Sequence, residues 1–255
     1  MRVAVIGASG LIGRDVIDVL ESRGHDVVAI TRSTGVDVYT GNGLAQALAG
    51  ADAVVDAVNA TTTDTEAVTD FFRTIAGNVQ REAAAAGVQR IALISIIGID
   101  GFTAGHYAGK LAQEHAYRRG PVPVRILRAA QFHEFPEMML GWTTRGDTAY
   151  VPKYRAQLVA ARTVAEQLAD SAVSPSAPEL AEIAGPEVFD LAAGAGAGGG
   201  RGGGPGGGGG GVLCLYFITI LALFFFTGGI YACKLPLHHA YRLVGVPVVN
   251  LRAPQ

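Results

Sequence analysis

Cysteine is scarce in this 255-residue chain: Cys214 and Cys233 are the only two. Their position and spacing supply neither a disulfide framework nor a metal-ligand pattern. A basic excess is missing as well. Twenty Lys and Arg stand against 22 Asp and Glu, for a net charge of -2. That balance excludes a charge-built surface for nucleic acid or anionic lipid. The partner to look for is a small molecule, with no nucleic acid. The opening residues, MRVAVIGASG, lack a long apolar core behind a basic start, so they do not read as a secretory signal. These features point to a cytoplasmic, reduced setting.

Glycine is plentiful but unevenly spread. Between residues 194 and 211, 14 of 18 residues are glycine. Such a run has no side chains to bury and loses the most backbone entropy on ordering, so it reads as a flexible linker over 191–211. It separates an ordinary globular part, residues 1–190, from a 44-residue tail, 212–255.

In the globular part, apolar runs alternate with helical patterns. MRVAVIG reads as a strand and RDVIDVLESRG as a helix ending near Gly24. Strands are expected over 26–33, 52–60, 90–100 and 122–130. Helices are expected at LAQALAGA, over 66–86 and over 107–118. Strands separated by helices of this length imply right-handed crossovers and an α/β fold: a doubly wound, Rossmann-type parallel sheet with helices on both faces.

The first turn carries the chemistry. Gly7, Gly10 and Gly13 form G-x-x-G-x-x-G directly after a strand and at the start of a helix. The first glycine permits the tight turn, the second lets backbone approach a pyrophosphate, and the third allows close packing of helix on strand. The loop Gly7, Ala8, Ser9, Gly10, Leu11, Ile12 and Gly13 thus offers helix N-terminal N–H groups to phosphates. After the second strand, where an acidic residue would accept from an NAD ribose, the chain has Thr31-Arg32-Ser33. Arg32 can fork onto a 2′-phosphate and Ser33 can add a donor, which favours NADP over NAD.

These segments, together with LISIIGID, HYAGKLAQE and ILRAAQFHEFP, resemble the atypical short-chain dehydrogenase/reductases of the NmrA-like, NAD(P)H-binding kind. The resemblance covers roughly residues 1–190. It implies a Rossmann core with NADP along residues 7–12 and Arg32, and a small C-terminal substrate subdomain. It further implies an oxidoreductase moving a hydride between nicotinamide and a small carbonyl or quinone-like substrate. A non-catalytic NADP(H) sensor is the alternative.

Short-chain dehydrogenases carry Tyr-x-x-x-Lys on a helix: the tyrosine handles the proton and the lysine binds the nicotinamide ribose. Here the residue four before Lys110 is His106, and Tyr107 stands three before it. Both spacings share roughly one helix face with Lys110. Three readings stay open: Tyr107 carries the proton, His106 carries it, or neither does and Lys110 only holds the cofactor. Ser95, near the end of the strand before, is a candidate donor to the substrate oxygen. The loop from Gln131 to Pro136 follows a strand's carboxyl end and should border the substrate, with Phe132 and Phe135 as an apolar wall and His133 as a polar group. His133 and Glu134 have no evident third metal ligand. Residues 154–168 read as a strand or loop entering an amphipathic helix, and 185–191 as a strand.

The tail is a degraded copy. Residues 231–255 align without gaps under 107–131 with 15 of 25 positions identical, and the offset continues back to Gly211 under Gly87. Ser95 is matched by Thr219 and Lys110 by Lys234, but the copy has no glycine-rich loop of its own. Arg90, Asp100 and His106 are matched by Cys214, Phe224 and Ile230, which leaves 22 uncharged residues over 212–233. That length spans a bilayer core of about 30 Å at about 1.5 Å rise per residue. Lys234, Arg242 and Arg252 follow it, which argues against a span with the dinucleotide domain inside. A membrane-associated form through 212–233 and an exposed apolar segment are both carried as readings.

Overall fold

The computed structural model describes residues 1–62, 64–145, 148–149 and 155–190. The expected linker over 191–211, the repeat over 212–255 and its candidate span lie outside the described residues. Among those described, no helix is long and apolar enough to cross a membrane.

The strands are β1 (Arg2–Ile6), β2 (Asp26–Ile30), β3 (Ala53–Asp56), β4 (Arg90–Ile96), β5 (Val124–Ala129), β6 (Thr144–Arg145), β7 (Thr148–Ala149), β8 (Arg155–Ala156), β9 (Leu180–Ile183) and β10 (Phe189–Asp190). The helices are α1 (Leu11–Ser22), α2 (Leu44–Leu48), α3 (Thr65–Ala85), α4 (Gly105–Arg118), α5 (Phe135–Thr143) and α6 (Ala161–Val173). Six strands form one parallel sheet in the order β2-β1-β3-β4-β5-β9. Two further two-stranded pairs, β6 with β7 and β8 with β10, are antiparallel. The Rossmann-type doubly wound sheet expected from the sequence is therefore present.

Alternation along the strands builds two cores. Val3, Val5, Ala53, Val55, Ala92 and Leu127 face α1 and α6. Ala4, Ile6, Val54, Ile91, Leu93 and Ile126 face α2, α3 and α4. Burial on both sides is why these strands read as continuous apolar runs. The order reverses between β1 and β3, so the carboxyl ends of those two strands form the switch point where such folds bind ligands.

Helix α3 begins at Asp64, whose carboxylate accepts from the Ala67 N–H at 2.8 Å. Its buried stripe Val68, Phe72, Ile75, Ala76, Val79 and Ala83 has helical spacing. It lies against α4, and contact is close at Gly109, where a Cβ would sit 3.0 Å from the Val68 side chain. Gln80 fixes the far end. Its amide donates to the Tyr117 and Val122 carbonyls at 2.8 and 2.9 Å and accepts from the Val122 N–H at 2.9 Å. These bonds satisfy the backbone of the turn between α4 and β5 inside the core.

Several expected boundaries differ. The strand expected over 26–33 stops at Ile30, because Thr31 caps a single 3-10 turn at Arg32–Thr34 through a reciprocal hydrogen-bonded box with Thr34. The strands expected over 52–60 and 90–100 end at Asp56 and Ile96, where the chain leaves the sheet for the ligand-facing loops. A sixth sheet strand, β9, was not expected: LAEI is short and mixed in character. The strand expected over 185–191 is the two-residue β10.

Candidate functional site

The glycine loop is shaped by want of space. Gly7 has φ +77°, and a Cβ there would lie 2.7 Å from the Ala57 carbonyl oxygen, just past β3. Gly13 sits in the first turn of α1, where a Cβ would lie 2.2 Å from the Gly7 carbonyl oxygen. At Gly10 the same test gives 3.2 Å. The loop is pinned by Gly7 N–H and Ala8 N–H to Ile30 O (3.2 and 3.4 Å) and Gly10 N–H to Gly7 O (2.9 Å). Gly10 caps α1 without any side-chain hydrogen bond, and no acidic residue lies in the first turn. Ser9, Gly10 and Leu11 are exposed, whereas Ala8, Ile12 and Gly13 are buried. The result is an open helix N-terminus, free of competing side-chain acceptors, at the switch point. That is the form a pyrophosphate requires.

Arg32 and Ser33 stand one strand over, exposed in the turn after β2. Ser33 Oγ lies 2.7 Å from Thr31 Oγ1. No ion pair holds Arg32 among the described residues, so its guanidinium is available to an anion.

The second half of the site is a buried polar layer on the α3/α4 face, at the carboxyl ends of β3, β4, β5 and β9. Asp56, Ser95, Arg128 and Glu182 take the sheet positions after Val54, Leu93, Ile126 and Leu180 on that face. Ser95 pairs in register with Arg128, and Arg128 with Glu182. Helix α4 lays Lys110, Gln113, Glu114 and Tyr117 over them, all buried. Arg128 forks twice. Its Nε and Nη2 donate to Glu114 at 2.9 Å each, and its Nη1 and Nη2 donate to Asp100 at 2.7 and 2.8 Å. Asp56 accepts from Tyr117 Oη at 2.6 Å, Gln113 Nε2 at 2.9 Å and the Val58 N–H at 2.9 Å. Lys110 Nζ donates to Gln113 Oε1 at 2.7 Å and lies 4.9 Å above the Phe72 ring.

Burial governs the titrations. It pulls the Lys110 ammonium down to about 8, against the attraction of Asp56 and Glu114. It pushes the Asp56 carboxyl up, against Lys110 and its three donors. Tyr117 is pushed up by burial and by Asp56. Two buried oxygens, Ser95 Oγ and Glu182 Oε1, have no hydrogen-bond partner among the described residues. Leaving a buried hydroxyl unsatisfied costs about 1–3 kcal/mol. Ser95 thus presents a buried hydroxyl without a partner among the described residues, at the carboxyl end of β4.

His106 and Tyr107 face different neighbours. His106 packs edge-on against Phe72 at 5.6 Å between centroids, so it shares that ring with Lys110. Tyr107 packs against Phe102 at 4.8 Å and its hydroxyl bonds the Gln131 side chain. Burial, with Lys110 adding to it, drops the His106 imidazole to about 4, and burial raises Tyr107. Both side chains are therefore neutral at pH 7. Because folded His106 binds its proton only below about 4 and the unfolded chain near 6.5, the unfolded state holds more protons between those values. Stability from this group is complete above 6.5 and is lost as pH falls toward 4, by up to about 3 kcal/mol. Urea unfolding across that window should show a shallower acid-side loss for His106→Gln than for the wild type.

The loop after β5 divides. Phe132 forms a β-bridge with Val159 and packs on the α1/α6 core, so it is framework more than open wall. His133 is exposed, its N–H bonded to Val159 O at 3.2 Å. Phe135 opens α5, half-buried. Of the expected site residues, Ser95, His106, Tyr107 and Lys110 lie at the carboxyl side of the sheet on β4 and α4. Asp56, Gln113, Tyr117, Arg128, Glu114 and Glu182 were not singled out. Asp56, Arg128 and Glu182 are polar residues on an otherwise apolar strand face, and Gln113, Glu114 and Tyr117 are polar groups on the buried face of α4, positions that call for a buried partner.

The sequence model of the NAD(P)H-binding family matches residues 7–171. No curated protein matches the chain. Among solved structures, an NADPH-dependent quinone oxidoreductase of Escherichia coli, complexed with NADPH, is 17% identical with a TM-score of 0.58, over 75% of this chain and 72% of that one. The triphenylmethane reductase of Citrobacter sp., complexed with NADP(H), is 17% identical with a TM-score of 0.57, over 76% and 73%. A short-chain dehydrogenase/reductase superfamily protein of Agrobacterium tumefaciens with bound NAD is 18% identical with a TM-score of 0.58, over 76% and 80%. At these identities the likeness is one of fold.

Proposed function

The chain belongs to the NAD(P)H-binding family, and on that premise we propose that it is an NADP-dependent oxidoreductase acting on a small carbonyl or quinone-like substrate. The observation that carries the reading is the two-part site at one end of the sheet: a glycine loop with no room for Cβ, and a buried lysine on the same end as an unpartnered buried serine hydroxyl. When bound, the cofactor supplies the hydride. In this reading the N–H groups along residues 7–13 hold the pyrophosphate and Arg32, with Ser33, holds the 2′-phosphate. Lys110 holds the nicotinamide ribose. Ser95 Oγ donates to the substrate oxygen, and its lack of a partner supports that role. Tyr107 is the preferred proton donor, since it keeps its proton through neutral pH. His106 at about 4 holds no transferable second proton there. His133 and Phe135, with Phe132 behind them, border the substrate.

A non-catalytic NADP(H) sensor is the second reading. The tie of the Tyr107 hydroxyl to Gln131, and the packing of His106 on Phe72, favour it. One assay separates the two. The full chain with NADPH is offered a panel of quinones and small carbonyls, and loss of absorbance at 340 nm is followed. Turnover with any member supports the enzyme; tight NADPH binding without turnover on any supports the sensor. Cofactor choice has its own test. Arg32→Ala should weaken NADPH about 10- to 100-fold and leave NADH nearly unchanged. An equal loss for both cofactors contradicts the 2′-phosphate assignment.

A further inference from the structure

Lys110 is held by a chain of buried groups that begins on a different element. Asp56 ends β3 and is fully buried. Gln113 and Tyr117 are also fully buried, and Lys110 is 4% exposed. A lysine ammonium only donates and an ionised carboxylate only accepts, so the orientation of the amide between them is forced. The Gln113 Oε1 accepts a hydrogen bond from Lys110 Nζ at 2.7 Å, and its Nε2 donates to Asp56 Oδ2 at 2.9 Å. Tyr117 Oη adds a bond to the same oxygen at 2.6 Å, and the Val58 N–H holds the other. Gln113 is thus polarised from both ends and cannot turn over without losing both contacts. All of these groups are buried, and none is needed to close a helix or strand. A buried polar chain of this kind costs stability against an apolar core, which points to a role in positioning.

We propose that Asp56 is a positioning residue that acts on Lys110 through the side-chain amide of Gln113, holding the ammonium charged and in place for the cofactor. The role of Lys110 toward cofactor rests on the oxidoreductase reading; the effect of Asp56 on Lys110 does not. The groups that face the ammonium are Asp56 from β3, Phe72 from α3, and His106, Gln113 and Glu114 from α4. Of these His106 is neutral and Phe72 offers only a ring face. Asp56 and Glu114 are the anions that oppose desolvation, and Glu114 is already engaged by Arg128. Removing the Asp56 charge therefore leaves burial less opposed, and the lysine gives up its proton at lower pH.

The test reads Lys110 directly in the full chain without cofactor, by following its side-chain nitrogen with ¹⁵N NMR against pH. The resonance is assigned by its loss in Lys110→Met. Asp56→Asn should move the Lys110 titration down by about one pH unit or more from its wild-type position. Gln113→Met, which keeps the carboxylate but cuts the link, should move it in the same direction. Asp56→Asn added to Gln113→Met should move it little further. Gln113→Glu, which brings a carboxylate directly to Nζ, should move it up. An unchanged titration in both single variants overturns the proposal, and fully additive shifts overturn the route through Gln113. Should Asp56→Asn fail to fold, the Gln113 pair decides by the opposite signs of its two shifts. NADPH titrations of the same samples report on the cofactor role separately. Lysine shifts without any change in the pH dependence of NADPH affinity would uphold the positioning chain and refute Lys110 as a cofactor contact.

Discussion

Replacing Gly13 with alanine removes cofactor binding, by about 100-fold or more in NADPH affinity, and lowers stability by about 1–3 kcal/mol. The added methyl would lie 2.2 Å from the Gly7 carbonyl oxygen, which is backbone and has no rotamer to escape into. Either α1 lifts from β1 or the loop between them opens. Both changes move the helix N-terminus away from the Gly7 turn that aims it, and phosphate recognition by backbone N–H groups depends on that aim. Gly77 is the control. It lies in α3 with open space around its Cβ position, so Gly77→Ala should raise stability by about 0.5–1 kcal/mol and leave NADPH affinity unchanged. Nicotinamide fluorescence and urea unfolding on the two variants separate a lost cradle from a merely weakened fold.

Arg128→Met carries the largest stability penalty, about 3–5 kcal/mol. The guanidinium is 4% exposed and Glu114 is fully buried, and two of their contacts are at 2.9 Å. Without Arg128, the ion pair that Glu114 keeps among the described residues is the one with Arg118, 3.7 Å away on the same helix. An ionised carboxylate left without its partner in that buried layer is costly. Asp100 is different. Its side chain is 55% exposed, so Asp100→Asn should cost no more than about 1 kcal/mol despite its 2.7 Å contact. The paired replacement of Arg128 and Glu114 by methionine should recover part of the loss, since Glu114 is then no longer a buried charge, while Glu182, which also faces Arg128, keeps the recovery incomplete. Denaturant midpoints for Arg128→Met, Asp100→Asn and the double variant at pH 7 give the measurement. Equal losses for Arg128→Met and Asp100→Asn would contradict the assignment.

The sequence carried the first half of the site clearly and the second half poorly, for physical reasons. Gly7, Gly10 and Gly13 are legible because a tight turn into a helix admits few residue types, and the context of strand and helix is local. β1, β3 and β4 were legible because burial on both faces makes them largely apolar, and β2 and β5 because an apolar, β-branched-rich run remains beside their charged residues. β9 was missed because LAEI carries a glutamate, and that glutamate, Glu182, is there for the polar layer. Asp56, Arg128 and Glu114 were passed over for a related reason. Each sits in a stretch that reads correctly as strand or helix, and a buried charge shows only after its partner on another element is known. His106 and Tyr107 could be placed near Lys110 by spacing alone. That one meets Phe72 and the other Gln131 depends on how α4 is rotated on the sheet, which the packing of Gly109 on Val68 fixes.

The central claim is that the loop over 7–13 and the turn at Arg32 together hold NADP. Titrating the full chain with NADPH and NADH, and following nicotinamide fluorescence, tests it most directly. The expected result is saturable binding of both, with NADPH tighter by about tenfold or more, and loss of both in Gly13→Ala. Binding of neither cofactor to the folded wild-type chain would contradict it.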